Sequence, residues 1–487
     1  MADHDAPSEP EPAAGRVGAS RRRDEVRPPA GATPQATPSS LGAHSVVYLV
    51  GTALQGLGVL LVLPFATRVL GSVEFGRVAT GLVVVQMVGT IAAAGLPQVV
   101  LREHHRGADG PRVARALAGT MVLLALALGV AGVGLALALS SAGHADLGQW
   151  LPLVAASVAL TTVVAGQTLM RARLQPWGFL ALAVLATVGA QLAGVLAART
   201  EPTSARYLTA YAGVVVLTAA LALLLGRPLA PTAERERVRA GIRLAAPLLP
   251  QAAAMLGLLS GDVLLTRWLV GASEAGEYQV ALQIGNIPFV LAVALFNAWG
   301  PLVLSRPTQD RWAWTRRSGT ALLSVVVVGA GLVAGTSYWI SYVLAGPDFE
   351  IAAIGSTAAL LTLVSVIYML YQGSSLAVLD SERTGWLAAG ALAGLAVMVA
   401  LAVALAPVGS IMGVALAKVA GYLTLTVVTV VAGRRDLRWP KQAWLALGVA
   451  VVATALSLNP VSGVVAVVLM LVGAVVVGPT ALRVLRR

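Results

Sequence analysis

Apolar runs of eighteen or more residues recur from about residue 41 almost to the end of this 487-residue chain. A bilayer core about 30 Å thick needs about 20 apolar residues per crossing. Inside hydrocarbon every backbone N–H and C=O must find its partner within the chain, which leaves helices for runs of this length. The pattern therefore dictates an all-α polytopic membrane protein with about 14 transmembrane helices. Composition agrees: 57% of the residues are hydrophobic and 11% charged, against roughly 25% charged in soluble domains. An ordinary cytosolic enzyme is excluded. Cysteine is absent, so disulfides, thiolate metal sites and cysteine nucleophiles are excluded as well.

Residues 1–40 are rich in Pro, Ala, Glu, Asp and Ser and read as a disordered cytoplasmic tail, because they lack the apolar surface to offset ordering. Six helices follow within 41–226, at about 41–65, 78–100, 113–139, 150–170, 178–198 and 207–226. A basic cytoplasmic loop, 227–243, separates them from six more within 244–432, at about 244–267, 278–303, 319–345, 351–379, 385–406 and 410–432. Two final helices near 443–458 and 461–482 and a basic tail complete 433–487. With both termini in the cytoplasm, 28 Lys and Arg fall on that side, counting Arg115 at a helix start, and 5 fall outside, with Lys418 inside a span. The positive-inside rule supports this topology. The net charge of +12 thus sets orientation, and no nucleic-acid partner is expected. The ten Trp lie in loops or near helix ends and read as an aromatic belt.

The chain repeats itself. TRVLGSVEFG, Thr67 to Gly76, follows the first helix, and TRWLVGASEAG, Thr266 to Gly276, follows the seventh; Gly71, Glu74 and Gly76 match Gly271, Glu274 and Gly276 at an offset of 200. Six helices separate the copies. Two six-helix bundles of equal orientation are expected, related by an axis along the membrane normal, with a substrate path between them.

The pattern Pro64, Arg68, Leu70, Gly71, Glu74, Phe75, Gly76 resembles the opening of the bacterial polysaccharide and O-antigen flippases of the multidrug/oligosaccharidyl-lipid/polysaccharide exporter superfamily. So do GLPQVVLR (Gly95 to Arg102), the Asp262 to Gly276 segment followed by Tyr278, and PVGSIMGVALAK (Pro407 to Lys418). The resemblance covers about residues 41–435. It implies translocation of a polyprenyl-diphosphate-linked oligosaccharide from the cytoplasmic to the outer leaflet of a bacterial cytoplasmic membrane. Its implied partners are the lipid-linked glycan, membrane lipids and other polysaccharide-assembly proteins, with no cofactor.

Intramembrane charge is the informative signal in the residues themselves, because a charge costs at least about 2.5–3.5 kcal/mol at a helix centre. Asp262 and Lys418 qualify. Asp262 could pair with Arg267 or face the cavity; Lys418 could face the cavity or a neighbouring helix. Arg68 and Arg267, at related outer positions, could grip a diphosphate through their planar forks, or cap helix carbonyls. Gln55, Gln86, Gln251, Gln283, Asn286 and Asn297, with Gln372, lie within spans, where amides bind sugars or hold helices together. Pro64, Pro97, Pro247, Pro250, Pro288 and Pro301 are expected to bend or break helices. No catalytic, metal or nucleotide-binding motif is present, so an enzyme is not expected. The alternative within transport is a cation-coupled multidrug antiporter, which needs intramembrane carboxylates; Asp262 is the candidate in helix seven.

Overall fold

The computed structural model describes residues 38–93, 95–142, 146–246 and 249–486. The expected 1–40 tail lies outside the described residues except for Pro38 to Ser40, which begin the first helix. In chain order the elements are α1 (Pro38–Ala93), α2 (Leu96–His104), α3 (Gly110–Ser141), α4 (Leu147–Ala172), α5 (Pro176–Val184), a π-helical turn (Leu185–Gly189), α6 (Ala190–Ala198), α7 (Ser204–Gly226) and α8 (Arg235–Ala245). Then come α9 (Leu249–Leu269), α10 (Ala272–Ser305), α11 (Thr308–Leu344), α12 (Ile351–Leu361), α13 (Leu363–Asp380), α14 (Gly385–Gly433), α15 (Lys441–Leu456) and α16 (Pro460–Arg486). No strand occurs among the described residues.

Eleven stretches among the described residues are helical, long and apolar enough to cross a membrane, and two shorter apolar helices follow, at Lys441–Leu456 and Pro460–Val475. One of the eleven, Gly58–Ala93, contains a break and counts as two arms, so every expected span has a counterpart. The protein is a multi-pass membrane protein.

The connections differ from expectation in three places. No loop separates the first two spans: α1 turns at the single residue Gly71, whose φ of 69° and ψ of 177° suit a residue without a Cβ. Likewise α14 bends at Ser410, with φ 51° and ψ −137°. Pro64 and Pro407 sit within these helices, but the sharp breaks fall on Gly71 and Ser410. The third difference is α8, a helix inside the segment read as the basic loop. Its sequence, RERVRAGIRLA, spaces Val238, Ile242 and Ala245 along one face while arginines occupy the other. Val238 and Ala245 are buried, and α8 packs against α2 and α3.

Among the described helices after α1, every substantial packing pair joins members of α2–α8 or members of α9–α16. Small residues let these helices approach closely, as expected where lipid supplies no hydrophobic drive for association. At the arginine-rich end, guanidiniums satisfy the open carbonyls of α7: Arg173 donates to the oxygens of Leu225 (3.0 Å) and Gly226 (2.6 Å), and Arg115 to that of Arg227 (2.6 Å). Two tryptophans depart from the belt. Trp299 and Trp439 are buried and donate to the hydroxyls of Ser318 and Ser374, each at 2.9 Å. Trp177, Trp268, Trp339 and Trp386 are exposed, as belt residues should be.

Candidate functional site

A cavity of about 430 Å³ lies between α1, α2, α4, the π-helical turn, α6, α7 and α10, within the roughly 300–1,000 Å³ of small-molecule sites. Its walls are largely apolar, with Val59, Leu63, Val83, Leu160 and Val163 among them. Five glutamines interrupt that wall: Gln86 on α1, Gln167 on α4, Gln191 on α6, and Gln279 and Gln283 one turn apart on α10. The π-helical turn Leu185–Gly189 contributes Ala186 and Thr187 beside Gln191. Such turns recur at functional sites because the wide turn re-aims side chains. Tyr207 donates to the Gln191 carbonyl oxygen. The Gln279 carbonyl oxygen is buried and has no hydrogen-bond partner.

The cavity ends, near Ala66 and Phe75, at a contact in which the internal repeat meets itself. A Cβ on Gly76 would collide with the Ala272 carbonyl and lie 2.9 Å from the Gly276 nitrogen; a Cβ on Gly276 would collide with the Ser72 carbonyl and lie 3.1 Å from the Gly76 nitrogen. Residues 72 and 76 thus face 276 and 272 reciprocally, as a two-fold contact requires. The Ser273 hydroxyl donates to that of Ser72 at 2.8 Å, and the Phe75 and Phe349 rings meet edge to face, 6.1 Å between centroids. Glu74 braces the contact from the side, accepting from the Ser204 backbone N–H at 2.7 Å and pairing with Arg77 at 2.5 Å.

The charged candidates lie elsewhere. Arg68 is exposed and donates to the carbonyls of Pro64 (2.8 Å) and Val343 (2.9 Å), while Thr67 donates to Leu344 (2.7 Å). Both therefore cap the last turn of α11, whose carbonyls lack helical partners. Arg267 is exposed, and neither arginine lines the cavity. Asp262 pairs with neither Arg267 nor the cavity: Lys418, on α14, donates to its Oδ2 at 2.7 Å and to the Leu259 carbonyl at 2.8 Å. Tyr278 donates to the same Oδ2 at 2.6 Å, and the two charged side chains are 0% and 2% exposed. The Asp262 Oδ1 is buried without a partner.

Of the amide candidates, Gln86 and Gln283 line the cavity. Gln251 and Asn286 are half-buried outside its lining, Asn297 is exposed on α10, and the Gln55 side chain lies outside the described residues. Gln167, Gln191 and Gln279 were missed by the sequence reading, although the signal that marked Gln86, an amide inside an apolar span, marks Gln167 and Gln191 equally. No group of three or more potential metal ligands occurs among the described residues.

Solved structures share this fold. Lipid II flippase MurJ in an inward closed conformation matches with a TM-score of 0.67 and 12% identity, covering 91% of this chain and 100% of that one. An inward-facing multidrug resistance MATE family transporter of the MOP superfamily matches with a TM-score of 0.58 and 15% identity, covering 80% of this chain and 97% of that one. No curated protein matches the chain in sequence. The model of the family described as polysaccharide biosynthesis protein matches residues 41–305, more than half of the chain, and the protein belongs to that family.

Proposed function

We propose that this protein is a flippase that carries a polyprenyl-diphosphate-linked oligosaccharide from the cytoplasmic to the outer leaflet of a bacterial cytoplasmic membrane. The observation that carries the reading is the amide-lined cavity, sealed at one end by the reciprocal Gly76–Gly276 contact, in a chain of the polysaccharide biosynthesis family. In this reading the arginine-rich end faces the cytoplasm and the sealed end faces outward. The glycan enters the cavity while its lipid tail stays in the bilayer. Opening of the glycine contact and closure of the opposite end then deliver it outward, the two halves rocking about the axis that relates the repeats.

The structure weighs against coupling through Asp262, because its carboxylate is already bonded to Lys418 and Tyr278. A multidrug antiporter would need a carboxylate free to exchange a cation. The diphosphate supplies a different drive: two negative charges moving outward against an interior-negative potential gain about 2 × 2.3 kcal/mol per 100 mV. Collapsing the potential in proteoliposomes is expected to slow transport, and equal rates across a controlled range of potentials would refute that coupling.

Cells lacking the gene are expected to accumulate a polyprenyl-diphosphate oligosaccharide on the cytoplasmic leaflet, read by mass spectrometry of lipid extracts. Restoring the wild-type gene should clear it. Genes carrying Gln86→Ala with Gln283→Ala should restore protein to normal amounts but clear the lipid roughly tenfold more slowly, since each lost hydrogen bond is worth about 0.5–1.5 kcal/mol. An unchanged lipid profile in the deletion, joined to new sensitivity to cationic drugs, would favour the antiporter instead.

A further inference from the structure

The cavity combines five amides with a complete lack of formal charge: among the described residues that line it, none is Asp, Glu, Lys, Arg or His. The charged groups closest in sequence to the lining are committed elsewhere: Glu74 pairs with Arg77 and accepts from the Ser204 N–H, and Glu277 accepts from the Glu350 N–H. Arg68 caps α11, and Asp262 and Lys418 neutralise each other inside the second half. We infer that this cavity selects uncharged sugar units and rejects acidic ones. The inference rests on the flippase reading and narrows its substrate class.

The chemistry follows from what each group can offer. A glutamine amide presents two donors and a carbonyl acceptor, and a sugar hydroxyl likewise donates and accepts, so the two pair in either sense. An acetamido substituent matches an amide in the same way. A hexuronate carboxylate, by contrast, only accepts. It cannot donate to an amide carbonyl, whereas a hydroxyl can. Nor does the wall hold a cation to offset the desolvation of a carboxylate, which buried charges require. Tyr207 already donates to the carbonyl of Gln191, which leaves the NH₂ of that amide to serve a ligand acceptor such as a hydroxyl or ring oxygen.

The test uses the full-length protein in phosphatidylcholine proteoliposomes. Two polyprenyl-diphosphate disaccharides of equal length are offered, one of N-acetylhexosamine and hexose, the other of N-acetylhexosamine and hexuronic acid. The neutral headgroup should be translocated about tenfold faster or more. In the Gln86→Arg variant, which adds a cation at an exposed cavity position, the ratio should fall towards one or invert. A Gln86→Asn variant, carrying the same chemistry in a shorter side chain, should keep the neutral preference and so controls for folding. Equal rates for the two headgroups in the wild type, or a faster acidic one, overturn the selectivity while leaving the flippase reading intact. Transport of neither overturns both.

Discussion

Gly76→Val is expected to reduce transport by roughly 10- to 100-fold, because the added side chain overlaps the Ala272 carbonyl and the sealed end can no longer close. Overpacking a tight contact costs about 1–3 kcal/mol, which corresponds to a population change of that order. In the proposed cycle the contact is made in one state and broken in the other, so the cost should fall on the closed state alone and shift the equilibrium towards opening. The chain has no native cysteine, so a single cysteine introduced at Ala79 reports access directly. An impermeant maleimide added outside intact cells should label it faster in Gly76→Val than in the otherwise unchanged protein. Gly276→Val should behave alike, and the double variant should add little, since both changes break the same contact. Unchanged labelling and unchanged transport in both single variants would remove this contact from the transport cycle.

Removing one partner of the Asp262–Lys418 pair should be more damaging to the fold than to the chemistry. Asp262→Ala or Lys418→Ala leaves a lone charge in an interior where the pair is almost fully buried, and such a break typically costs about 3–5 kcal/mol. Expression and thermal stability in detergent should fall sharply in each single variant. The paired replacement Asp262→Asn with Lys418→Met removes both charges, and Tyr278 can still donate to the residue at 262. It should recover most of the stability and, if the pair plays no part in cation coupling, most of the transport. A stable double variant with no transport would show that the pair does more than hold α9 to α14.

The spans were legible because hydrocarbon imposes length and apolarity on each of them separately. The one-residue turns were not: Gly71 lies among Ser72, Glu74 and Arg77, which read as a polar loop, and only the backbone reveals that α1 continues through it. The α8 helix was hidden for a related reason, since its arginines set the charge of the segment while two buried apolar residues, Val238 and Ala245, hold it in place. For the candidate site, polar residues inside spans could be found, but not the face each occupies. Gln86 and Gln283 reach the cavity while Gln251, Asn286 and Asn297 do not, because that depends on how helices distant in sequence pack. Asp262 stood out as costly, yet its partner lies 156 residues away, beyond any spacing rule. The repeat, in contrast, was readable, although only the fold reveals that its two copies touch.

The buried pair also imposes an order on synthesis. The Asp262 helix, α9, is the least hydropathic of the eleven long spans, and it leaves the ribosome 156 residues before Lys418. At about 5–20 residues per second, that interval lasts roughly 8–30 seconds. During it α9 must wait beside the translocon or another helix, with an acid that has no cation to meet. The second half of this protein therefore completes its insertion backwards: a late helix supplies the cation that an early one lacks.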